Sequence, residues 1–385
     1  MAKMLVRRRE IAAKIESVEG TAETLAAADA TFNVYSPKFN PNPTYFKRKP
    51  ARSSLSKLPG IAGAKPASIS FGVELKGSGT AATAPGLSKL LKACGLQEVD
   101  PWQLTIGTVS SGPFQAGERV TGGTSSAVGI VMFETADGVT TLWVLPVSGT
   151  FSGTETVTGS TSGASATTSA AAQGVAIAWR PDSDPSSIPT LTIGGYCDGV
   201  RHVIRGARGS VTFTGTRGEI VMLELEFTGV HDGTTDVSLI TPSPDGTLPP
   251  TFLGVGLVLQ DGYSAIFQQL SINLNNTVEE RENANKSDGI ESFLIGDRNP
   301  QMTVDPEMET VANHDFVGKL YAGTQGRMEF QVGTSAGNRF RVGAPATQYT
   351  ALSDDERGVK AVAGLTLDLV SIDDAGDDEL VILQF

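Results

Sequence analysis

Cysteine, histidine, aromatic side chains and long apolar runs are all scarce in this chain of 385 residues. Cys94 and Cys197, the only two cysteines, make no disulfide framework and have no metal-ligand spacing, so both are expected as buried reduced thiols. No apolar run reaches the ~18 residues needed to span a bilayer. The opening "MAKMLVRRREIAAKIESVEG" lacks the apolar stretch and cleavage site of a signal peptide, which predicts a protein made and kept in a cytoplasm or released from it by lysis. His202, His231 and His314 stand in unrelated contexts, with no zinc or helix-borne metalloprotease spacing. There is no G-x-S-x-G elbow, and "GSGTAATAPG" at Gly77 lacks the closing Lys-Ser/Thr of a phosphate loop. No enzyme, metal or cofactor is expected from these absences.

What is abundant is glycine, at 44 residues, with many Ser and Thr; that composition favours short strands joined by tight turns. The strand signals are clear. Leu223, Leu225 and Phe227 alternate with Glu224, Glu226 and Thr228, and Leu365, Leu367 and Leu369 alternate with Thr366 and Asp368. Period two predicts half-buried strands, each with one polar face. Helices are predicted only in "PGLSKLLKACG", ending at Gly95, and in "HDFVGKLYAG", ending near Gly323.

A net charge of −12 argues against a sequence-independent grip on nucleic acid. The charge is uneven: residues 1–60 hold eleven Lys or Arg against five acids, whereas 353–385 hold two against nine. Basic runs at Arg7–Arg9 and Lys47–Lys49 face an acidic run containing Asp373, Asp374, Asp377, Asp378 and Glu379. Solvated ends are one interpretation, and a salt-sensitive head-to-tail contact between copies is the other. The acidic run lacks the D-x-D-x-D-G register of a calcium loop and predicts a hairpin turn around Gly376.

One segment says the same thing twice. "SGPFQAGERVTGGTSSA" from Ser111 returns thirty-seven residues later as "SGTFSGTETVTGSTSGA" from Ser148, identical at ten of seventeen positions. Each copy predicts strand, Gly-rich turn and strand, with "AVGIVMF" and "TTLWVLPV" between them around a turn at Asp137. Two copies related by a local twofold would cover each other around Phe114, Phe151 and Trp143, giving a small β-lobe inserted over residues 103–174 and projecting from a surface loop. The serine- and alanine-rich stretch closing the second copy is assigned as strand rather than linker.

A fainter repetition relates the rest of the chain. Asn42, Thr44, Arg48, Gly63 and Glu74 align with Asn275, Thr277, Arg281, Gly296 and Glu307, and "RG" at Arg217 recurs at Arg357. Without the insertion, residues 30–232 match the length of 255–385, at 131 residues each. The expected architecture is therefore mainly β: one domain over 1–102 and 175–240, the inserted lobe, and a second domain over 250–385.

The stretches "IAAKIESVEGTAETLAAADATFNVY", "GIAGAKPASISFGVELKGSG", "APGLSKLLKACG", "TLTIGGYCDGVRHVIRGARGSVTF", "GDRNP" and "RGVKAVAGLTLDLVSIDDAGDDELVILQF" together resemble the major tail (tail tube) proteins of long-tailed, non-contractile bacteriophages. The resemblance implies tandem β-sandwich or partly closed barrel domains, each with a short helix, and a virion tail protein assembled in the host cytoplasm. It implies rings built by inter-subunit sheet pairing and stacked into a tube, with the tape measure protein and tail terminator as partners and DNA passing through without specific binding. A long loop carrying Lys47, Arg48, Lys49, Arg52 and Lys57 would reach the next ring, and Glu224 and Glu226 would line the lumen. With the unit doubled, a trimer would supply a pseudo-sixfold ring; a hexamer of single tube units is the fallback. The alternative is a phage-associated β-protein that binds or degrades a surface polysaccharide, which requires paired carboxylates or an aromatic platform.

Overall fold

The computed structural model describes residues 5, 7–135, 138–373 and 376–385, so the turn at Asp137 and the acid Asp374 lie outside the described residues. The chain is mainly β, with strands over 48% of it and helices over 5%. Its principal element is an arc of eight strands within a larger 16-stranded sheet. In chain order these are β1 (Val34–Pro41), β2 (Pro66–Glu74), β3 (Val200–Thr216), β4 (Met222–Asp236), β5 (Gln269–Asn273), β6 (Gln301–Val304), β7 (Phe340–Arg357) and β8 (Lys360–Val370). Across the arc they run β7-β8-β6-β5-β3-β4-β2-β1, antiparallel throughout.

That order is one four-strand pattern used twice. Ser70 lies between Lys38 and Glu226, just as Thr303 lies between Ser271 and Thr366. Thr212 stands opposite Glu224 as Ser353 stands opposite Gly364. Strands β1 to β4 thus correspond in register to β5 to β8. The two units join where β3 pairs β5, from Thr212↔Asn273 to Thr216↔Gln269.

Alternation sets the two faces of the arc. Ile69, Phe71, Leu223, Leu225, Phe227, Ile272, Met302 and Leu367 are all buried on one face. A second layer covers them, built from strands Arg9–Ile15, Ile177–Pro181, Leu191–Cys197 and Val381–Gln384 and from helix α1 (Ser88–Ala93). At roughly 1.5–3 kcal/mol per buried side chain, this core is the main stabilising term. The long strands β3 and β7 each serve both layers: Val200–Ala207 pairs with Leu191–Cys197 before the same strand crosses into the arc. The corner is a bulge at Gly206, whose φ of 59° favours glycine and whose added Cβ would lie 3.1 Å from Ser292 Cα. Helix α2 (Phe316–Ala322) begins with Asp315 accepting the Gly318 N–H at 2.7 Å and ends on left-handed Gly323.

The repeat folds as a closed six-stranded barrel between Trp102 and Ala172. The stretch assigned as strand rather than linker forms Ser165–Ala172. Phe114 and Phe151 are buried in the barrel core with Leu104, Val120 and Val157. Trp143 corrects the expectation: its side chain leaves the barrel and packs on Phe385, Val381 and Leu383 of the main body. It lies on a strand whose neighbours Leu142 and Val144 face inward, so period two sends it outward. A second correction concerns Gly376. Val381–Gln384 pairs with Ile177–Trp179 and with Phe340–Gly343, not with β8, so no hairpin joins the last two strands.

Candidate assembly surfaces

The uncovered face of the arc is predominantly polar. It presents Lys38 and Asn40 on β1, Ser68 and Ser70 on β2, Glu224 and Glu226 on β4, Thr212 and Thr214 on β3 and Ser271 and Asn273 on β5. Gln301 and Thr303 on β6, Thr366 and Asp368 on β8 and Ser353 and Asp355 on β7 complete it. Half-buried Met222 and Val370 share the face with them, and Tyr35 stands opposite Gly72 before the β1 bulge. Glu224 and Glu226 are exposed and have no hydrogen-bond or ion-pair partner among the described residues. Asp368 accepts from Gln301 Nε2 at 2.8 Å. Four carboxylates against the ammonium of Lys38, with the Arg357 guanidinium at the end of β7 already paired to Asp305 and Glu307, make this an acidic, hydroxyl-rich surface.

Both ends of the arc offer an open edge, β1 at one and the part of β7 past Gln348 at the other. At β1, the Asn42 N–H bonds the Pro66 carbonyl, so backbone groups two and four residues earlier also face β2. The N–H and C=O of Phe39 therefore point away from the sheet. At β7, the Ala363 N–H bonds the Pro306 carbonyl on the far side of β8, which leaves the backbone groups of Leu352, Asp354 and Glu356 pointing outward. Phe340–Gln348 of β7 pairs with Gln325–Val332, but neither the rest of that edge nor β1 has a further backbone partner among the described residues. Unpaired edges of this kind pair with another strand unless they are blocked.

Residues 42–65 leave the arc between β1 and β2 as an arm. Its base is a ribbon pairing Tyr45 with Ala62 and Phe46 with Ile61. The second unit has the same register, Val278↔Ile295 and Glu279↔Leu294, as the alignment of Thr44 with Thr277 anticipates. There the hairpin packs back on the first unit, where Val278, Ile290 and Phe293 meet Val230. The arm packs on nothing comparable. Tyr45, Phe46, Leu55 and Ile61 are exposed, and so are Lys47, Arg48, Lys49, Arg52 and Lys57, none of which forms an ion pair among the described residues.

Of the acids near the C-terminus, Asp373, Asp377, Asp378 and Glu379 have partners within the chain. Asp377 and Glu379 hold Arg298, and Asp373 pairs with Arg119 of the barrel at 2.6 Å. Asp378 is buried and accepts the N–H groups of Ile372 and Asp373. Burial lowers the proton affinity of the Arg298 guanidinium, but these carboxylates outweigh it and raise the pKa. On β7, Asp354 and Glu356 have no hydrogen-bond or ion-pair partner among the described residues.

The barrel holds two residues that the sequence marks but sequence reasoning passed over. Glu118 and Glu155 are identical in the two copies and buried. Glu118 accepts the N–H groups of Thr161 and Ser162 at 3.1 and 3.0 Å, the Ser162 hydroxyl at 2.7 Å and its own copy's Gln115 N–H at 2.7 Å. Glu155 mirrors this with Thr124, Ser125 and Ser152. Each copy's carboxylate caps the other copy's turn, and Thr121 pairs with Thr158 on the local twofold. Burial would raise the Glu155 pKa, but the donors on Ser125, Ser152 and Thr124 outweigh it and hold the carboxyl below its ordinary range. The identity of both glutamates in the two copies was the available signal.

The barrel is fixed to the body. Phe133 stacks under the Arg341 guanidinium, 4.2 Å from the ring centre, Glu134 pairs with Arg327 at 2.7 Å, and Ile130, Met132 and Leu145 join Trp143 against Val381 and Leu383. Elsewhere the histidines are structural. His314 is buried and shares a 2.8 Å hydrogen bond with Tyr349 Oη, while His202 stacks on Phe39 with centroids 4.4 Å apart. Cys94 is buried, and burial pushes its thiol pKa up; Cys197 is half-buried, and both are free. Among the described residues no cluster of His, Cys, Asp and Glu could hold a metal ion.

A family model described as phage tail tube protein matches residues 7–372, nearly the whole chain. No curated protein sequence matches the chain.

Proposed function

Because this chain belongs to the phage tail tube protein family, a structural component of the virion tail, we propose that its eight-strand arc is one segment of a ring and that stacked rings form the tube. The observation that carries the proposal is the doubled four-strand unit, joined head to tail in a single sheet, with β1 and the C-terminal half of β7, past Gln348, left as free edges. A head-to-tail junction that leaves the same two edge types free repeats until it closes. Three copies of the arc would close a barrel of roughly 24 strands, about 37 Å between opposite backbones at ~4.8 Å per strand and wider with tilt. Barrels of roughly 16–18 strands already leave an aqueous channel.

The polar face would then line the lumen. Glu224, Glu226, Asp355 and Asp368 repel phosphates, the hydroxyls and amides around them supply no cationic anchor, and the acids outnumber the ammonium of Lys38, so DNA passes with few of the Lys and Arg contacts that make binding strong. The apolar base and basic tip of the arm, Tyr45 to Ile61, suit contact with neighbouring subunits and with the next ring, and the barrel sits outside the lumen-forming strands.

Negative-stain electron microscopy of the concentrated protein, scored for end-on symmetry, tests this. Rings or hollow tubes bearing three outward knobs are expected. Six knobs would refute the doubled-unit ring, and compact monomers at high concentration would refute the ring altogether.

A further inference from the structure

Resting on the ring proposal above, we infer that the junction between copies repeats the register of the internal β3/β5 junction, but is made by charge where the internal one is neutral. The partner is a second copy of this chain.

The register transfers residue by residue. Because Thr212 matches Ser353 and Ser271 matches Lys38 within their units, the pairs Thr212↔Asn273, Phe213↔Ile272 and Thr214↔Ser271 become Ser353↔Asn40, Asp354↔Phe39 and Asp355↔Lys38 of the next copy. The backbone agrees independently. Leu274 N–H bonds the Val211 carbonyl across the internal junction, which makes Phe213↔Ile272 a hydrogen-bonded pair. The corresponding groups of Asp354 and Phe39 are those left pointing outward on the open edges.

The side chains differ in kind. At the internal junction the polar-face pair is Thr214 with Ser271, both uncharged; between copies the same position brings the Asp355 carboxylate against the Lys38 ammonium. Asp354 and Glu356 flank one side of the pairing. On the other side Arg9 bonds the Pro37 carbonyl at 3.0 Å, which places its guanidinium beside β1. Opposite charges on directly opposed strand positions stabilise pairing, and like charges oppose it. The acidic β7 edge cannot pair with itself, nor the basic β1 edge with its own copy, so the charges permit head-to-tail closure and disfavour the two symmetric dimers. The neutral internal junction needs no such rule because the chain connectivity already selects it.

A charge swap tests the register. Lys38 and Asp355 are exposed, so Lys38→Glu and Asp355→Lys leave the core untouched, and unchanged thermal unfolding verifies that. Each single variant is expected to lose rings at low salt, and the double variant to recover them. A second test exploits the polar-face pair. Asn40→Cys with Ser353→Cys, in a Cys197→Ser background because Cys197 lines the groove beside β1, places two thiols on a non-hydrogen-bonded pair whose Cα spacing suits a disulfide. Oxidation should then give a covalent ladder ending at the closed ring. Wild-type rings with Lys38→Glu rings equally abundant, or singles that fail without recovery in the double, would overturn this junction while leaving the ring proposal standing. A wild-type chain that forms no rings overturns both.

Discussion

Replacing Glu118 by Gln should destabilise the barrel by about 3–5 kcal/mol, and replacing Glu155 by Gln should cost the same within about 1 kcal/mol. The magnitude comes from counting donors. Glu118 receives three N–H groups and one hydroxyl. A glutamine keeps one oxygen, which takes two of them, and turns an amide NH2 toward the other two. Hydrogen bonds to a charged group contribute about 1.5–3 kcal/mol each, and both carboxylates are buried, so solvent screening removes little. Urea unfolding followed by tryptophan fluorescence, with hydrogen exchange of Thr161 and Ser162 amides for local assignment, measures the loss. The discriminating assay is a double-mutant cycle. Glu118→Gln should couple strongly to Ser162→Ala and negligibly to Ser125→Ala, whereas Glu155→Gln should show the reverse. Coupling within a copy instead of across copies would refute the reciprocal capping, and so would a loss below about 1 kcal/mol. The pH dependence has a definite sign. The folded Glu155 pKa is depressed, so its contribution is complete above the unfolded value near 4.5 and disappears as pH falls through the folded value.

Three further outcomes are expected. Burial, with Lys319 adding to it, holds the His314 pKa below its ordinary 6.5, so the unfolded chain binds more protons below that pH and stability should fall on acidification; urea midpoints at pH 7 and 5.5 should converge in His314→Gln. Trp143→Ala should cost about 3–5 kcal/mol at the barrel-to-body contact and separate a barrel transition from the body transition in calorimetry; a single unshifted transition would argue against that contact. Glu224→Lys with Glu226→Lys should leave ring assembly intact and make tubes retain double-stranded DNA at low salt, with release as salt rises; equal retention by wild type would refute the lumen assignment.

The period-two alternation of Leu223 to Phe227 and of Leu365 to Leu369 settled the strand type, because alternate side chains of an extended backbone must face opposite sides. Composition settled the scarcity of helix, and the repeat at Ser111 and Ser148 announced a self-covering lobe. The faint alignment of Thr44 with Thr277 falls where the two ribbons at Tyr45 and Val278 share a register. All of these are local properties, read within a few residues of chain.

What required the tertiary structure was everything set by long-range pairing. Trp143 looks like a core residue in sequence, and only the closing of the barrel shows that its face of the strand belongs to the body. Asp373, Asp377 and Glu379 look free until Arg119 and Arg298 arrive from distant segments to take them. The two open edges at Phe39 and Asp354 are visible only once every other backbone group has found its partner. A strand's side-chain pattern is written in its own residues, but which N–H and C=O groups stay unpaired depends on the whole sheet.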